Sequence, residues 1–350
     1  MAELPPLDGS RVLVTGGAGF IGSNFAHYFL RRFPTAHLVV LDALTYAGRR
    51  ENLEGIPPAQ LTFVHGDIRD PAAVALAMEG CDYVLNFAAE SHVDRSIEAP
   101  GEFIQTDVYG VFVLCEEARR REVRRFVQVS TDEVYGEVLE GRATEDWPLM
   151  PRSPYAASKA GGDRLAFAYW ATYGLPVVVT RCTNNYGPRQ YPEKLVPLFI
   201  TNAIEGVPLP VYGTGKNCRD WIHVEDHCAA LVTLLAEPGI EGETFNVGAG
   251  NELDVLTITA DLLKLIGKPL SLAQHVEDRP GHDRRYALDC SRLTQLTGWK
   301  PAIPWREGIL QTVAWYQANE VWWRPIKEGE FRAYYERMYG QRKVLKEVQG

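Results

Sequence analysis

The sequence has no Cys-x-x-Cys pair; its six cysteines, at positions 81, 115, 182, 218, 228 and 290, are scattered. That spacing offers neither a zinc knuckle nor a disulfide framework, and reduced thiols in a cytoplasmic protein are expected. Positive charge is also scarce. A formal net charge of -9 over 350 residues leaves no basic face of the kind nucleic acid requires. An anionic small ligand remains possible, because backbone donors hold phosphate on an acidic protein. No apolar run reaches the ~20 residues of a membrane span. The opening Met1-Ala2-Glu3-Leu4-Pro5-Pro6 lacks the basic and apolar regions of a signal peptide. Low-complexity stretches and internal repeats are missing too. What remains is the composition of a soluble globular protein, with room for one large domain or two ordinary ones.

The chain then alternates in a telling order. The run Arg11-Val12-Leu13-Val14-Thr15 reads as a strand and enters Gly16-Gly17-Ala18-Gly19-Phe20-Ile21-Gly22. A helical pattern follows to about Arg32, stopped by Pro34, and Leu38-Val39-Val40-Leu41 is strand-like again, ending at Asp42. In such a unit the first glycine, Gly16, permits a tight turn. Gly19 lets the backbone approach a pyrophosphate, and Gly22 lets helix pack on strand. Phosphate would sit at the helix N-terminus, where unpaired N–H groups and the dipole favour negative charge. A carboxylate at Asp42 can accept hydrogen bonds from both ribose hydroxyls and would repel an extra 2′-phosphate, pointing to NAD over NADP. Taken alone, a glycine-rich turn and a surface Asp would give the same letters; strand, helix and second strand in sequence favour dinucleotide binding.

The alternation continues through Leu61-Thr62-Phe63-Val64, a helix from Pro71 to Met78, Tyr83-Val84-Leu85-Asn86-Phe87, a long helix over 101–121, and Arg125-Phe126-Val127-Gln128-Val129. This is the order of a doubly wound parallel sheet. Asp67, after the third strand, either accepts from an adenine amine or caps a turn. Ala88 and Ala89 either let a flat cofactor pass or pack tightly. His92 receives no catalytic role. At the end of the next strand, Ser130, Thr131, Asp132 and Glu133 stand where open α/β sheets carry chemistry; a helix N-cap with acidic neighbours is the alternative. Tyr155 and Lys159 lie four residues apart on one helical face. An unperturbed Tyr titrates near ~10, so an adjacent ammonium and a nicotinamide cation are needed to make it a base. An exposed Tyr and Lys side by side is the plain alternative.

These features together resemble the extended short-chain dehydrogenase/reductase superfamily, and finer strings resemble its dTDP-glucose 4,6-dehydratase family. The strings are Asn86-Phe87-Ala88-Ala89-Glu90-Ser91-His92, Ser130-Thr131-Asp132-Glu133-Val134-Tyr135-Gly136, Thr183-Asn184-Asn185-Tyr186-Gly187-Pro188, Arg219-Asp220-Trp221 and Asp278-Arg279-Pro280-Gly281-His282. The resemblance, over about residues 11–325, implies an α/β Rossmann sheet with a smaller α/β substrate-binding domain. It implies a catalytic set of Thr131, Asp132, Glu133, Tyr155 and Lys159. Tyr155 would take the C4 hydroxyl proton, Glu133 the C5 proton, and protonated Asp132 would donate to the departing C6 hydroxyl. For NAD it implies Gly16, Gly19, Phe20, Ile21, Gly22, Asp42, Ala43, Leu44, Thr45, Asp67 and Ile68. Phe87, Ala88, Ala89, Ser91, Thr106, Tyr155, Lys159 and Asn185 complete that set. For a nucleoside-diphosphate hexose, dTDP-glucose first, it implies Ser91, Thr131, Asn184, Lys194, Leu195, Pro210, Val211, Tyr212, Arg219, Asn251, Arg279 and His282. A homodimer through the helices around 101–121 and 153–173 is expected as well.

Residues 1–185, with a return segment around 216–248, are expected to bind NAD; 186–215 and 249–328 to bind substrate; and 329–350 to form a helical tail with Phe331, Tyr334, Tyr335 and Met338 packed on the body. His223 and His227 are spaced like a metal pair, but no third ligand stands near, and no metal is expected. Against the family resemblance, the loop from Ala249 to Asp254 is a few residues short: either Asn251 substitutes for a substrate-contacting asparagine or that contact is lost. Other readings are another nucleotide-sugar 4,6-dehydratase, a 4-epimerase or decarboxylase, or a non-catalytic NAD-binding module. An epimerase has no use for the Asp132–Glu133 pair, which separates the first two classes.

Overall fold

The computed structural model describes residues 7–278, 281–339 and 342–345. Strand and helix alternate through β1 (Arg11–Thr15), α1 (Phe20–Arg32), β2 (His37–Asp42), β3 (Leu61–His65), α2 (Pro71–Ala77) and β4 (Tyr83–Asn86). There follow α3 (Val93–Glu98), α4 (Pro100–Ile104), α5 (Val111–Arg120), β5 (Arg125–Thr131), α6 (Pro154–Tyr173) and β6 (Val177–Cys182). The later order is less regular: β7 (Asn184–Tyr186), α7 (Leu195–Glu205), β8 (Leu209–Tyr212), β9 (Cys218–His223), α8 (Val224–Ala236) and β10 (Thr244–Val247). The chain continues through β11 (Glu252–Asp254), α9 (Val255–Ile266), β12 (Ala273–Val276), α10 (Ser291–Thr297), α11 (Trp305–Ala318), α12 (Glu320–Glu328) and α13 (Glu330–Tyr339).

Seven strands in the order β10-β6-β5-β4-β1-β2-β3 form one sheet, parallel at every pairing. Strands β4, β5 and β6 are buried at every position, as a parallel sheet covered on both faces demands. Alternate residues serve opposite faces. Val12, Val14 and Val40 pack with Phe25, Phe29 and Leu231 under α1 and α8, whereas Leu13, Val39 and Phe126 pack with Leu114 and Tyr169 under α5 and α6. The strand order reverses between β1 and β4, which opens a crevice at their carboxyl ends. A buried side-chain relay crosses that junction: Thr15 Oγ1 donates to Asn86 Oδ1 (2.5 Å) and Asn86 Nδ2 to Gln128 Oε1 (2.9 Å).

Within the return segment, β10 joins the main sheet beside β6, and α8 packs on α1. Strand β9 does not; it pairs with β7 and β11 in a separate three-stranded sheet, while β8 and β12 form a parallel pair. A third apolar cluster there gathers Phe199, Trp221, Trp305, Tyr316 and Trp323. Phe331 is buried in it, with Tyr335 and Met338 packed alongside, as the amphipathic pattern of the tail implies; the side chain of Tyr334 lies outside the described residues.

The single helix expected over 101–121 is interrupted. Helix α4 ends at Ile104, Gln105–Gly110 is one π-helical turn, and α5 resumes at Val111. Such a bulge leaves the apolar pattern nearly unchanged, so periodicity does not reveal it. Two glycines on α6 admit it. A Cβ on Gly162 would overlap the Asp107 carbonyl oxygen, and one on Gly161 would lie 2.9 Å from Val108 Cγ2.

Helix α6 is tied to the sheet by a buried ion pair. Arg181 Nε and Nη2 donate to the Asp163 carboxylate at 2.7 and 3.2 Å, and Arg181 Nη1 donates to Tyr135 Oη at 2.8 Å. Removing one partner of such a pair leaves an uncompensated buried charge. Asp163→Ala is therefore expected to cost about 3–5 kcal/mol in chemical denaturation; a loss below ~1 kcal/mol would show that Arg181 finds water or another acceptor.

Candidate active site

The glycine turn after β1 is built for close approach. Gly16 sits at φ +64°, and a Cβ there would lie 2.7 Å from Ala88 N. A Cβ on Gly22 would overlap the Gly16 carbonyl, so α1 starts directly on the turn. Gly19, at the N-cap, supplies no side-chain hydrogen bond, and the first N–H groups of α1 face the crevice beside Phe20 and Ile21. Asp42 closes the other side. Its Oδ2 accepts from Ala18 N and its Oδ1 from Leu44 N, both at 2.8 Å, and burial raises its pKa. Ala43 and Thr45 continue this wall, whereas Leu44, at φ +50°, packs toward the core.

Residues after β3 and β4 form the floor. Asp67 accepts from the backbone N of Arg69 (2.8 Å) and from its guanidinium (2.7 Å). The tendency of burial to raise the Asp67 pKa is outweighed by these bonds, and the net shift is downward. Turn-capping is thus one real role of Asp67, and it also lines the crevice with Ile68. Phe87, Ala88, Ala89 and Ser91 lie opposite, joined by Thr106 from the π-helical turn. Lys194 Nζ donates to the Ser91 carbonyl at 2.5 Å. Asn184 and Asn185 enter from β7; Asn185 is fixed by His227 Nδ1 at Oδ1 (2.9 Å) and donates to Thr183 O (3.0 Å). Burial lowers the His227 pKa to about 3, leaving the ring neutral. His223 instead caps α8, its Nδ1 accepting from Glu225 N at 3.3 Å. No group of three potential metal ligands occurs among the described residues.

The chemical groups converge where β5 ends. Thr131 Oγ1 donates to Asp132 Oδ1 (3.1 Å) and accepts from Glu133 N (3.3 Å), so the helix-cap reading is also true: Thr131 caps the short turn Asp132–Tyr135. Asp132 is only 3% exposed. Burial, reinforced by the Glu133 charge, pushes its pKa up to about 8, although Arg219 pulls the other way. Glu133, one residue on, is more open and lines the crevice. Two adjacent carboxyl groups thus occupy unlike environments, the arrangement that divides acid from base work.

Tyr155 and Lys159 share the crevice-facing side of α6. Burial, then the charges of Glu133 and Asp107, hold the Tyr155 pKa well above its usual value, against a hydrogen bond from Thr131. Lys159 Nζ donates to Val129 O at 2.8 Å. Burial and the neighbouring carboxylates therefore keep Tyr155 protonated; phenolate formation needs a further positive charge in the crevice.

Sequence reasoning missed several wall residues, among them Arg69, Glu90, Cys182, Thr183 and Gln190. Cys182 ends β6 and Thr183 follows it, and that position was a usable signal. Gln190 stands in an irregular loop that carries none. The groups expected toward the nucleotide lie outside this wall. Leu195 is the first residue of α7. Val211 is fully buried in the third apolar cluster, so its side chain serves the core. Pro210 is its neighbour on β8, and the Tyr212 ring packs on Tyr339 (5.9 Å), His282 (6.1 Å) and Arg342 (4.4 Å). His282 Nδ1 contacts Asp278 at 2.7 Å. Arg219 donates to Cys218 O (2.7 Å) and Asp283 O (2.8 Å) beneath the Tyr286 ring. Asn251 Nδ2 donates to Trp221 O at 3.1 Å, fastening the short loop to β9. Arg279 lies outside the described residues.

Residues 13–312 match the family model described as GDP-mannose 4,6 dehydratase. The chain is 49% identical to dTDP-glucose 4,6-dehydratase of Streptomyces antibioticus over 322 residues, covering 91% of this chain and 95% of that protein. It superimposes with a TM-score of 0.88 on the crystal structure of DesIV (dTDP-glucose 4,6-dehydratase) from Streptomyces venezuelae with NAD and TYD bound, at 49% identity over 91% of this chain and all of that one. A UDP-glucose 4-epimerase of Thermus thermophilus in complex with NAD is similar at 34% identity and TM-score 0.82, over 88% of this chain and 99% of that one.

The environment of Asp132 has a direct consequence. Carbon-13 NMR of protein labelled at aspartate Cγ is expected to show a resonance that titrates near pH 8 and vanishes in Asp132→Asn; titration of that resonance near ~4 would mean the carboxyl is ionised at neutral pH.

Proposed function

The chain belongs to the dTDP-glucose 4,6-dehydratase family, and on that premise we propose that it converts dTDP-glucose to dTDP-4-keto-6-deoxyglucose. The observation that carries this reading is the Asp132–Glu133 pair beside Tyr155, with Asp132 held in its acid form. The crevice fits NAD. A Cβ at Gly16 or Gly22 would strike the backbone at Ala88 or at the Gly16 carbonyl, so the turn closes this tightly only on glycine, and the uncapped start of α1 offers N–H groups to a diphosphate. Asp42, Ala43 and Thr45 would hold the adenosine ribose end, and Asp67 and Ile68 the adenine. Ala88, Ala89, Ser91, Thr106 and Asn185 would hold the remainder. When bound, NAD supplies an acceptor for the C4 hydride and returns that hydride to C6.

The residues do the rest by moving protons. Tyr155, assisted by Lys159, takes the C4 hydroxyl proton, and Thr131 orients that hydroxyl. The resulting 4-ketone acidifies C5–H, and Glu133 removes that proton. Asp132 gives its proton to the C6 hydroxyl as the C6–O bond breaks, releasing water. Glu133 then returns a proton to C5, Tyr155 releases the proton it gained to solvent and Asp132 takes one up, so the net change is loss of one water. Lys194 and Asn184 face the sugar. Arg219, Tyr212 and their neighbours are assigned to the nucleotide, with residues 186–215 and 249–328 as the substrate-binding part. Exposed Ile104, Tyr109, Phe112 and Tyr173 on α4, α5, α6 and the turn between support a homodimer through those helices. No helix among the described residues is long and apolar enough to cross a membrane, and we place the enzyme in the cytoplasm.

A 4-epimerase shares the scaffold and the Tyr–Lys pair but needs no acid–base pair at C5 and C6. Incubation with dTDP-glucose in deuterated water is expected to give a dehydrated product with one deuterium at C5, read by mass and NMR. A product that keeps its C6 oxygen would overturn the dehydratase reading. In Glu133→Gln, turnover should fall at least about 100-fold with no deuterium entering C5, while nucleotide-sugar affinity changes little. Loss of less than about tenfold would remove Glu133 from the role of base.

A further inference from the structure

The π-helical turn carries a buried carboxylate that the reaction itself does not use. Asp107 is 2% exposed. Its Oδ1 accepts from Glu90 N at 3.0 Å, and its Oδ2 accepts from Ser158 Oγ at 2.6 Å. Glu90 belongs to the loop after β4 that forms the crevice floor with Ala89 and Ser91. Ser158 lies between the two reactive residues of α6, and its hydroxyl also reaches Tyr155 O at 2.8 Å. The glycines at 161 and 162 let the turn lie against α6 closely enough for these contacts. A regular α-helix through 105–110 would carry Asp107 to a different angle on that face.

We propose that Asp107 is a positioning residue that clamps the cofactor-side loop to the Tyr155–Lys159 helix and sets the electrostatic field in which that pair works. The proposal rests on the assignment of Tyr155 and Lys159 as the oxidising pair. The charged and titratable groups facing Asp107 are Lys159 and Tyr155 from α6 and Glu90 from the loop. Burial disfavours its ionised form and the Glu90 charge adds to that, outweighing Lys159 and the hydrogen bonds from Ser158 and Glu90 N, so the carboxyl ends at about 6. Its charge in turn raises the proton affinity of Tyr155. A carboxyl group titrating there is ionised above pH 6 and neutral below, so the field around the pair changes as pH falls through that value.

Two variants separate charge from shape. Asp107→Asn can still accept from Glu90 N and can donate to Ser158 Oγ, which keeps its bond to Tyr155 O. It should melt like wild type and keep kcat at pH 7.5 within about threefold, while the acid limb of the kcat profile moves at least about 0.5 pH unit lower. Asp107→Leu removes the clamp and should lower kcat about 10- to 100-fold at a KM for dTDP-glucose changed no more than about twofold. An acid limb identical in wild type and Asp107→Asn would overturn the electrostatic half. A Leu variant that loses only melting temperature would overturn the positioning half. Independently of turnover, aspartate Cγ resonances of the purified protein should include one that titrates near pH 6 and is absent from Asp107→Asn; titration near ~4 would contradict the proposal. Absence of product from wild type with dTDP-glucose would instead indict the functional reading, which the NMR titration leaves separate.

Discussion

Burial of one carboxyl group, Asp132, is the constraint to which the rest of the site answers. An ionised carboxylate in that position would cost several kcal/mol in lost hydration. The protein meets this by letting the group keep its proton up to about pH 8, with Thr131 hydrogen-bonded to it. Glu133, the very next residue, is turned toward the crevice and raises the cost of ionising Asp132 further. Arg219 comes near enough to oppose this, but its guanidinium is engaged by two carbonyls and the Tyr286 ring. The balance leaves an acid and a candidate base side by side, which elimination of water requires.

Such a balance holds only if the turn after β5 cannot drift. Tyr135, at the end of that turn, is gripped by Arg181 and by Asn246 Oδ1 at 2.8 Å. Arg181 is gripped by Asp163 from α6, the helix that presents Tyr155 and Lys159. The same buried network therefore ties the turn that carries the carboxyl pair to the helix that carries the Tyr–Lys pair. The Asp107 contacts do the same between that helix and the floor on which the cofactor would lie.

The likeness to a UDP-glucose 4-epimerase shows how little of this is fold. The parallel sheet, the glycine turn and the reversal of strand order suit many reactions on nucleotide sugars. On the mechanism proposed above, a two-residue segment and its burial separate elimination from epimerisation.

Much was legible from residues alone. The glycine spacing at 16, 19 and 22, the terminal Asp42 and the strand–helix alternation announced the main sheet, because periods and turn chemistry are local properties of the chain. Thr131, Asp132 and Glu133 were legible as a candidate active segment because they stand at the end of a buried strand. Other features depended on which elements met. The π-helical turn at 105–110 leaves no mark on the apolar pattern and exists beside two glycines about fifty residues away. Val211 turned into the core and Asn251 toward a backbone carbonyl, since β8 and the short loop pack where composition does not say. The proton on Asp132 was likewise a tertiary outcome. Letters place two carboxyl groups in succession; only packing withdraws one of them from water.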